Sequence, residues 1–240
     1  MMKAFLKQII PNHWKQNWRR SLGVPDQESS FTRLKNLGFK PQIILDIGAY
    51  EGHWAQLFLK EFPESKIMML EGQEQKETFL SPLCQSNPSL HYQIALLGSK
   101  EEEVTFHIYE TASSVLSENN ETGAILQTRM LKRLDLIVEN TLFAVPDFIK
   151  IDTQGYELEI LKGGLKTLKH AQAVLLEVSL LPIYQNCPLV DEVIIFMKDQ
   201  GFALYDICSL MRRPLDQALF QSDFLFVRND SFLRGNLKWA

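Results

Sequence analysis

The stretch Ile43-Ile44-Leu45-Asp46-Ile47-Gly48-Ala49-Tyr50-Glu51-Gly52 decides the fold. Its apolar run, interrupted by one acid, reads as a strand buried on both faces, as interior strands of parallel sheets are. Gly48 allows a sharp turn, because glycine takes positive φ without steric cost. Gly52 lets a ligand or a helix come close to the backbone as an amphipathic helix opens. The run therefore delivers Asp46 to the carboxyl rim of a first parallel strand, where ligands bind in open α/β sheets.

Outward from this turn, strands and helices alternate, which implies a mostly parallel sheet with helices on its faces. A helix is expected over residues 51–61, a strand over 66–70 ending in Glu71-Gly72, a helix over 74–84 and a strand over 91–96. Residues 103–109 alternate apolar and polar, as a strand exposed on one face does. Residues 111–123 read as a polar loop, and 125–131 as a further strand before a short helix at 134–140. Phe148–Ile151 is the fourth strand of the alternating series. The helix beginning near Tyr156 carries Leu158, Leu161, Leu165 and Leu168 on its expected buried face. A strand follows at 173–178, a helix at 190–200, and two last strands at 202–207 and 223–228 as an antiparallel edge pair. The expected architecture is a Rossmann-like, seven-stranded α/β sheet. A single domain spans residues 31–240, preceded by a basic aromatic helical arm over 1–30.

Bulk properties bound the function. The chain has 240 residues and a net charge of −4, which disfavours a general nucleic-acid binder. Cys84, Cys187 and Cys208 are far apart and show no metal-type spacing, so free thiols in a reducing compartment are expected. No apolar run reaches the ~20 residues that span a bilayer, and the N-terminus lacks a signal-peptide pattern. The reading is cytoplasmic. Lys3, Lys7, Lys15, Arg19 and Arg20 all precede the first acid, Asp26, and Trp14, Trp18 and Leu22 share a helical face. Residues 1–24 therefore either pack on the domain or make a peripheral membrane or partner contact.

Two cofactor readings compete at the opening turn. A dinucleotide site needs G-x-G-x-x-G so that pyrophosphate can sit against glycines at a helix N-terminus. Here the glycines are Gly48 and Gly52, Tyr50 stands where the middle glycine would be, and Asp46 and Glu51 would repel phosphate. S-adenosylmethionine carries a positive sulfonium and an amino group and no phosphate, so an acid there is attractive. Glu71, about 20 residues past the glycine turn, stands where an acid accepts ribose hydroxyls. Asp46, Gly48, Tyr50, Gly52, Glu71 and Gly72 are the cofactor-binding candidates. Ala95, in the 93–97 stretch that would pass beneath the adenine, joins them.

The most distinctive segment is 148–164, which reads Phe-Ile-Lys-Ile-Asp-Thr-Gln-Gly-Tyr-Glu-Leu-Glu-Ile-Leu-Lys-Gly-Gly. It brings Asp152 beside the crevice, with Glu157 in the first turn of the next helix, where a carboxylate also suits the helix dipole. This segment resembles the signature of the FkbM-type methyltransferase family. Leu45-Asp46-Ile47-Gly48-Ala49 and Leu175-Leu176-Glu177-Val178 resemble that family in order and spacing, and the resemblance covers roughly residues 43–228. It departs at Tyr50, where the family frequently has Asn, and at Gly72, where it has Pro. The resemblance implies a class I methyltransferase fold, S-adenosylmethionine as donor and an oxygen acceptor on a sugar, polyketide or related small molecule.

Methyl transfer to oxygen needs alignment of the reactants and removal of the hydroxyl proton. Asp152 is the first candidate for that base or for orienting the acceptor, with Glu157 and Glu177 behind it. The sequence leaves open whether Asp152 instead contacts the cofactor or a cation. The spacing of the three carboxylates is not diagnostic of Mg²⁺, and no metal site is assigned. His53 reads as a helix-end histidine, and Ser113 and Ser114 are candidates for the acceptor side. The competing functional class is a catalytically silent S-adenosylmethionine-binding or interaction protein of the same fold; turnover with any acceptor separates the two.

Overall fold

The computed structural model describes residues 22–109, 113–118 and 123–239. In chain order these form α1 (Gln27–Asn36), β1 (Ile43–Ile47), α2 (His53–Glu61), β2 (Lys66–Glu71), α3 (Glu77–Ser86), β3 (Leu90–Ile94) and β4 (Leu96–Leu97). Then come β5 (Glu103–Ile108), β6 (Ile125–Lys132), α4 (Leu134–Val138), β7 (Phe148–Ile151), α5 (Glu157–Gly163) and α6 (Leu165–Leu168). The chain closes with β8 (Ala173–Ser179), α7 (Val190–Asp199), β9 (Phe202–Ile207), β10 (Met211–Arg212) and β11 (Leu219–Arg228).

The main sheet runs β3-β2-β1-β7-β8-β11, and both β9 and the two-residue β10 pair with the far edge of β11. The first five strands are mutually parallel, and β11 runs antiparallel to β8 and to β9. This is the expected mostly parallel sheet with an antiparallel edge. The strand order reverses between β1, whose chain continues to β2, and β7, and such a switch point opens a crevice at the carboxyl ends of the strands. A second, three-stranded sheet, β4-β6-β5, stands beside that crevice.

The period of two along each strand divides the core. Leu45, Ile47, Ile149, Ile151, Val174 and Leu176 pack on one face beneath Leu161, Val193 and Met197. Ile44, Phe148 and Leu175 face the other side, against Phe31 of α1 and Phe58 of α2. Asp147 starts the central strands in register: its Oδ2 accepts the Gln42 and Ile43 N–H groups at 2.7 and 2.9 Å.

Several boundaries differ from expectation. Helix α1 begins at Gln27, where Asp26 caps it by accepting the Ser29 N–H at 2.9 Å. It therefore crosses the 30/31 boundary drawn between arm and domain. Trp14 and Trp18 lie outside the described residues, and Leu22 is exposed. The strand expected over 91–96 breaks at Ala95: its N–H bonds to the Glu71 carbonyl at 2.8 Å, and Leu96–Leu97 turn away to pair with Leu131 and Lys132. The single helix expected after Tyr156 is two, separated at Gly164, whose backbone lies so close to Leu134 that a Cβ would sit 2.7 Å from Leu134 Cδ2. The break shifts the helical phase, so Leu165 is 37% exposed rather than part of the buried face. Of the polar loop, 113–118 is described: Ser114 pairs with His107 and Glu118 with Tyr184, which lays the segment across the carboxyl ends of the strands. No helix among the described residues is long and apolar enough to cross a membrane.

Candidate active site

A cleft opens at the switch point, at the carboxyl ends of β1, β2 and β7. Gly48, Tyr50, Glu71, Gly72, Ala95 and Asp152 all line it. Ser113, Ser114 and Gln154 line it as well, and Leu96, Phe106 and Ile160 supply an apolar wall. Asp46, Gly52, Glu157 and Glu177 do not line it, nor does His53.

The glycine turn is built by close approach. Gly48 has φ +73, and a Cβ there would lie 1.8 Å from the Asp152 carbonyl oxygen, so the turn after β1 rests directly on the turn after β7. Gly52 has φ +76 and packs inward, with a Cβ position 2.7 Å from Leu83 Cδ1 on α3. Its role is therefore to seat α2 on α3. Gly72 faces Leu96 and Phe106, which brings the second sheet against the end of β2.

Asp46 is fully buried, and its register partner on β7 is Lys150. The two share a sheet face, with Lys150 Nζ 3.1 Å from Asp46 Oδ1. The same ammonium donates to the Gly48 carbonyl at 2.8 Å and lies 3.8 Å from Asp152 Oδ2. Burial pushes the Asp46 carboxyl upward against the pull of Lys150. Burial alone would lower the Lys150 ammonium, but the Asp46 and Asp152 carboxylates outweigh it and hold the lysine charged. The attraction that Asp46 offers to a cation is thus spent on Lys150 beneath the cleft. Lys150 has no place among the sequence candidates, although a lone lysine inside an apolar strand is a usable signal: such a cation is rarely buried unless paired.

Glu71 stands at the end of β2 and is 6% exposed. Its Oε2 accepts the Tyr50 N–H at 2.7 Å and its Oε1 the Gln73 N–H at 2.8 Å. Burial raises its pKa, opposed by those two backbone donors. Each oxygen keeps a second lone pair, so the group that ties the two turns together still has acceptor capacity for a hydroxyl.

The second acidic centre is a network. Asp152, its side chain 36% exposed, presents Oδ2 past Lys150, while Oδ1 accepts Gln154 Nε2 at 3.0 Å. The same nitrogen donates to Glu177 Oε2 at 2.8 Å, and the Tyr184 hydroxyl donates to Gln154 Oε1 at 2.5 Å. Glu177 Oε2 also accepts Gln221 Nε2 at 2.9 Å. Gln154 holds φ +56, a left-handed conformation that non-glycine residues keep mainly where the surroundings impose it. Burial, then the Asp152, Glu157 and Asp223 carboxylates, push the Glu177 carboxyl well upward. Glu157 Oε1 accepts N–H groups of Thr153 and Gly155 at 2.9 and 3.1 Å, which fixes the turn that carries Gln154. Among the described residues no three His, Cys, Asp or Glu side chains converge as a metal ion would require.

Burial raises the Glu157 carboxyl from 4.5 to about 7, against the opposing backbone donors. The folded state therefore keeps this proton where the unfolded chain has lost it, and Glu157 lowers stability progressively as pH rises from 4.5 to about 7. Glu157→Gln retains an acceptor for the two amides and removes the titration. The variant is expected to melt near wild type at pH 5 and above wild type at pH 8; parallel melting curves across that range would show that Glu157 does not titrate on folding.

A model of the methyltransferase FkbM domain matches residues 46–204. No curated protein matches the chain. Among solved structures, TrmK of M. capricolum in complex with S-adenosyl-homocysteine superposes with a TM-score of 0.51 at 9% identity, over 84% of this chain and 67% of that one. Fibrillarin of Aeropyrum pernix, with natively bound S-adenosyl-L-methionine, has a TM-score of 0.49 at 12% identity, over 83% and 74% of the two chains. Methyltransferase FkbM of Methylobacillus flagellatus KT has a TM-score of 0.46 at 14% identity and covers 76% of this chain. The present chain spans 43% of the length of that protein. The likeness to TrmK is one of fold.

Proposed function

Because the chain belongs to the FkbM methyltransferase family, we propose that it transfers the methyl group of S-adenosylmethionine to a hydroxyl of a small molecule, with Asp152 as the base. The observation that supports this most is that Glu71, the Gly48 turn and Asp152 open into one cleft. The residues present fit the cofactor. Glu71 retains acceptor capacity for ribose hydroxyls. The bare Gly48 and Gly72 backbones let the Asp152 turn and the Leu96 and Phe106 side chains close in around the cleft. Leu96 and Phe106 offer apolar surface near Ala95 for the adenine.

S-adenosylmethionine, when bound, supplies an electrophilic methyl group on a sulfonium. The chain's own part is alignment and proton removal. Asp152 Oδ1 is held by Gln154, which leaves Oδ2 to take the proton of the acceptor hydroxyl. Lys150 keeps positive charge 3.8 Å from Oδ2. Glu157 and Glu177 act behind this carboxylate, one shaping the Thr153–Gly155 turn and the other anchoring the Gln154 amide. Ser113 and Ser114 lie on the acceptor side, and the Ser114 hydroxyl donates to the Gln154 carbonyl at 2.9 Å.

Two measurements test this reading. Titration calorimetry is expected to show binding of S-adenosylmethionine and S-adenosylhomocysteine; no heat at high micromolar ligand would remove the cofactor from the cleft. Asp152→Asn is expected to keep that binding and to lower turnover by ~10²-fold or more, on an acceptor that the wild type methylates. Undiminished turnover would take Asp152 out of the mechanism.

A further inference from the structure

Tyr50 is the second non-glycine residue of the cleft in the left-handed region, with φ +51. Three contacts bear on it. Its N–H is held by Glu71. Its ring lies under the Lys76 ammonium, which sits 3.5 Å from the ring centroid. That ammonium also donates to Glu51 Oε1 at 2.9 Å. The Lys76 side chain is only 9% exposed. A buried lysine usually has a partner that accounts for it, and here the partners are an aromatic face and a carboxylate belonging to one turn.

The positions of these groups give the contact a consequence. Tyr50 and Glu51 belong to the turn between β1 and α2, while Lys76 ends the short 3₁₀ turn Glu74–Lys76 that follows β2. The ammonium therefore ties together the two turns that contribute Gly48, Tyr50, Glu71, Gly72 and Gln73 to the cleft. Lys76 itself does not line the cleft, so it acts on anything bound there through Tyr50. A cation over an aromatic face, desolvated and anchored by a carboxylate, is a stronger restraint than the same contact in water. The restraint acts on a non-glycine residue whose left-handed backbone has to be imposed by its surroundings.

We propose that Lys76 is a positioning residue for the cofactor: with Glu51 it clamps the Tyr50 ring as a wall of the cleft, and through that ring it sets how tightly S-adenosylmethionine is held. The inference rests on the cofactor reading above. Its physical basis is preorganisation, since a protein whose competent conformation is only partly populated binds more weakly by that fraction.

The test is calorimetric titration of the full-length protein with S-adenosylhomocysteine, paired with thermal melting. Lys76→Met is expected to weaken binding about 5–20-fold, as loss of a desolvated cation–π restraint should. Its melting temperature is expected to stay within about 2 °C of wild type. Lys76→Arg should recover much of the affinity, because a guanidinium also stacks on tyrosine. Glu51→Gln leaves the lysine stem in place and should weaken binding in the same direction, which keeps the test sound if Lys76→Met folds poorly. In a Tyr50→Asn background, Lys76→Met should cause no further loss. Wild-type affinity in both Lys76→Met and Glu51→Gln overturns the inference and leaves the cofactor reading standing. So does an undiminished effect of Lys76→Met in the Tyr50→Asn background. Absence of binding by the wild type itself overturns both.

Discussion

Replacing Lys150 by methionine is expected to destabilise the folded protein by about 3–5 kcal/mol, the usual cost of removing one partner from a buried ion pair. The reason is Asp46. It is fully buried, its Oδ2 has no hydrogen-bond partner among the described residues, and Lys150 is the cation beside it on the neighbouring strand. Without that cation the carboxylate must ionise in an apolar layer or take up a proton. The variant also loses the donor to the Gly48 carbonyl and the positive charge beside Asp152. Cofactor affinity and turnover should therefore fall together with stability. Denaturant unfolding measures the loss. The double variant Asp46→Leu, Lys150→Met separates charge from packing, since apolar replacement of a whole buried pair is often close to neutral in stability. It should regain most of the unfolding free energy without regaining turnover. A double variant as unstable as Lys150→Met would show that the ion pair is not the source of the loss.

Gly48→Ala is the second large effect. Two costs combine at this one position. The backbone holds φ +73, which costs a residue with a Cβ roughly 1–2 kcal/mol. The added Cβ would also lie 1.8 Å from the Asp152 carbonyl oxygen, so the two turns must part. A total of about 2–4 kcal/mol is expected, toward the upper end of single substitutions. S-adenosylhomocysteine affinity should fall by more than an order of magnitude. Gly38 provides the control: its φ is +92 but nothing lies within 4 Å of an added Cβ, so Gly38→Ala carries the backbone cost alone. Equal melting temperatures for the two variants would mean that the contact between the turns is not a constraint.

Both predictions concern the join between the β1 turn and the β7 turn, and the sequence revealed each turn separately. Asp46, Gly48 and Asp152 stand out because an acid and a glycine at the end of an apolar run have few other uses. Glu71 stands out by its distance from the glycine turn. The partnership of Asp46 with Lys150 was not legible, because it depends on which residues of two strands, about a hundred positions apart in the chain, come side by side. Gln154 and Lys76 were missed for a related reason. Neither departs from an ordinary polar turn until its contacts with Glu177, Tyr184, Glu51 and Tyr50 are formed.

Chain pattern was sufficient for the alternation of strands and helices, the antiparallel edge and the family motif at 148–164. These follow from local rules: hydrophobic period, glycine at positive φ, and turn chemistry at strand ends. What each acid does was settled by packing between segments remote in sequence. Asp46 faces Lys150 beneath the cleft, Glu157 turns back onto the Thr153 and Gly155 amides, Glu177 is buried behind Gln154, and Asp152 alone of these four lines the cleft. Four carboxylates that look alike in a one-dimensional pattern differ because burial and partners, set by strand register and by the approach of one turn to another, determine which charge meets a ligand.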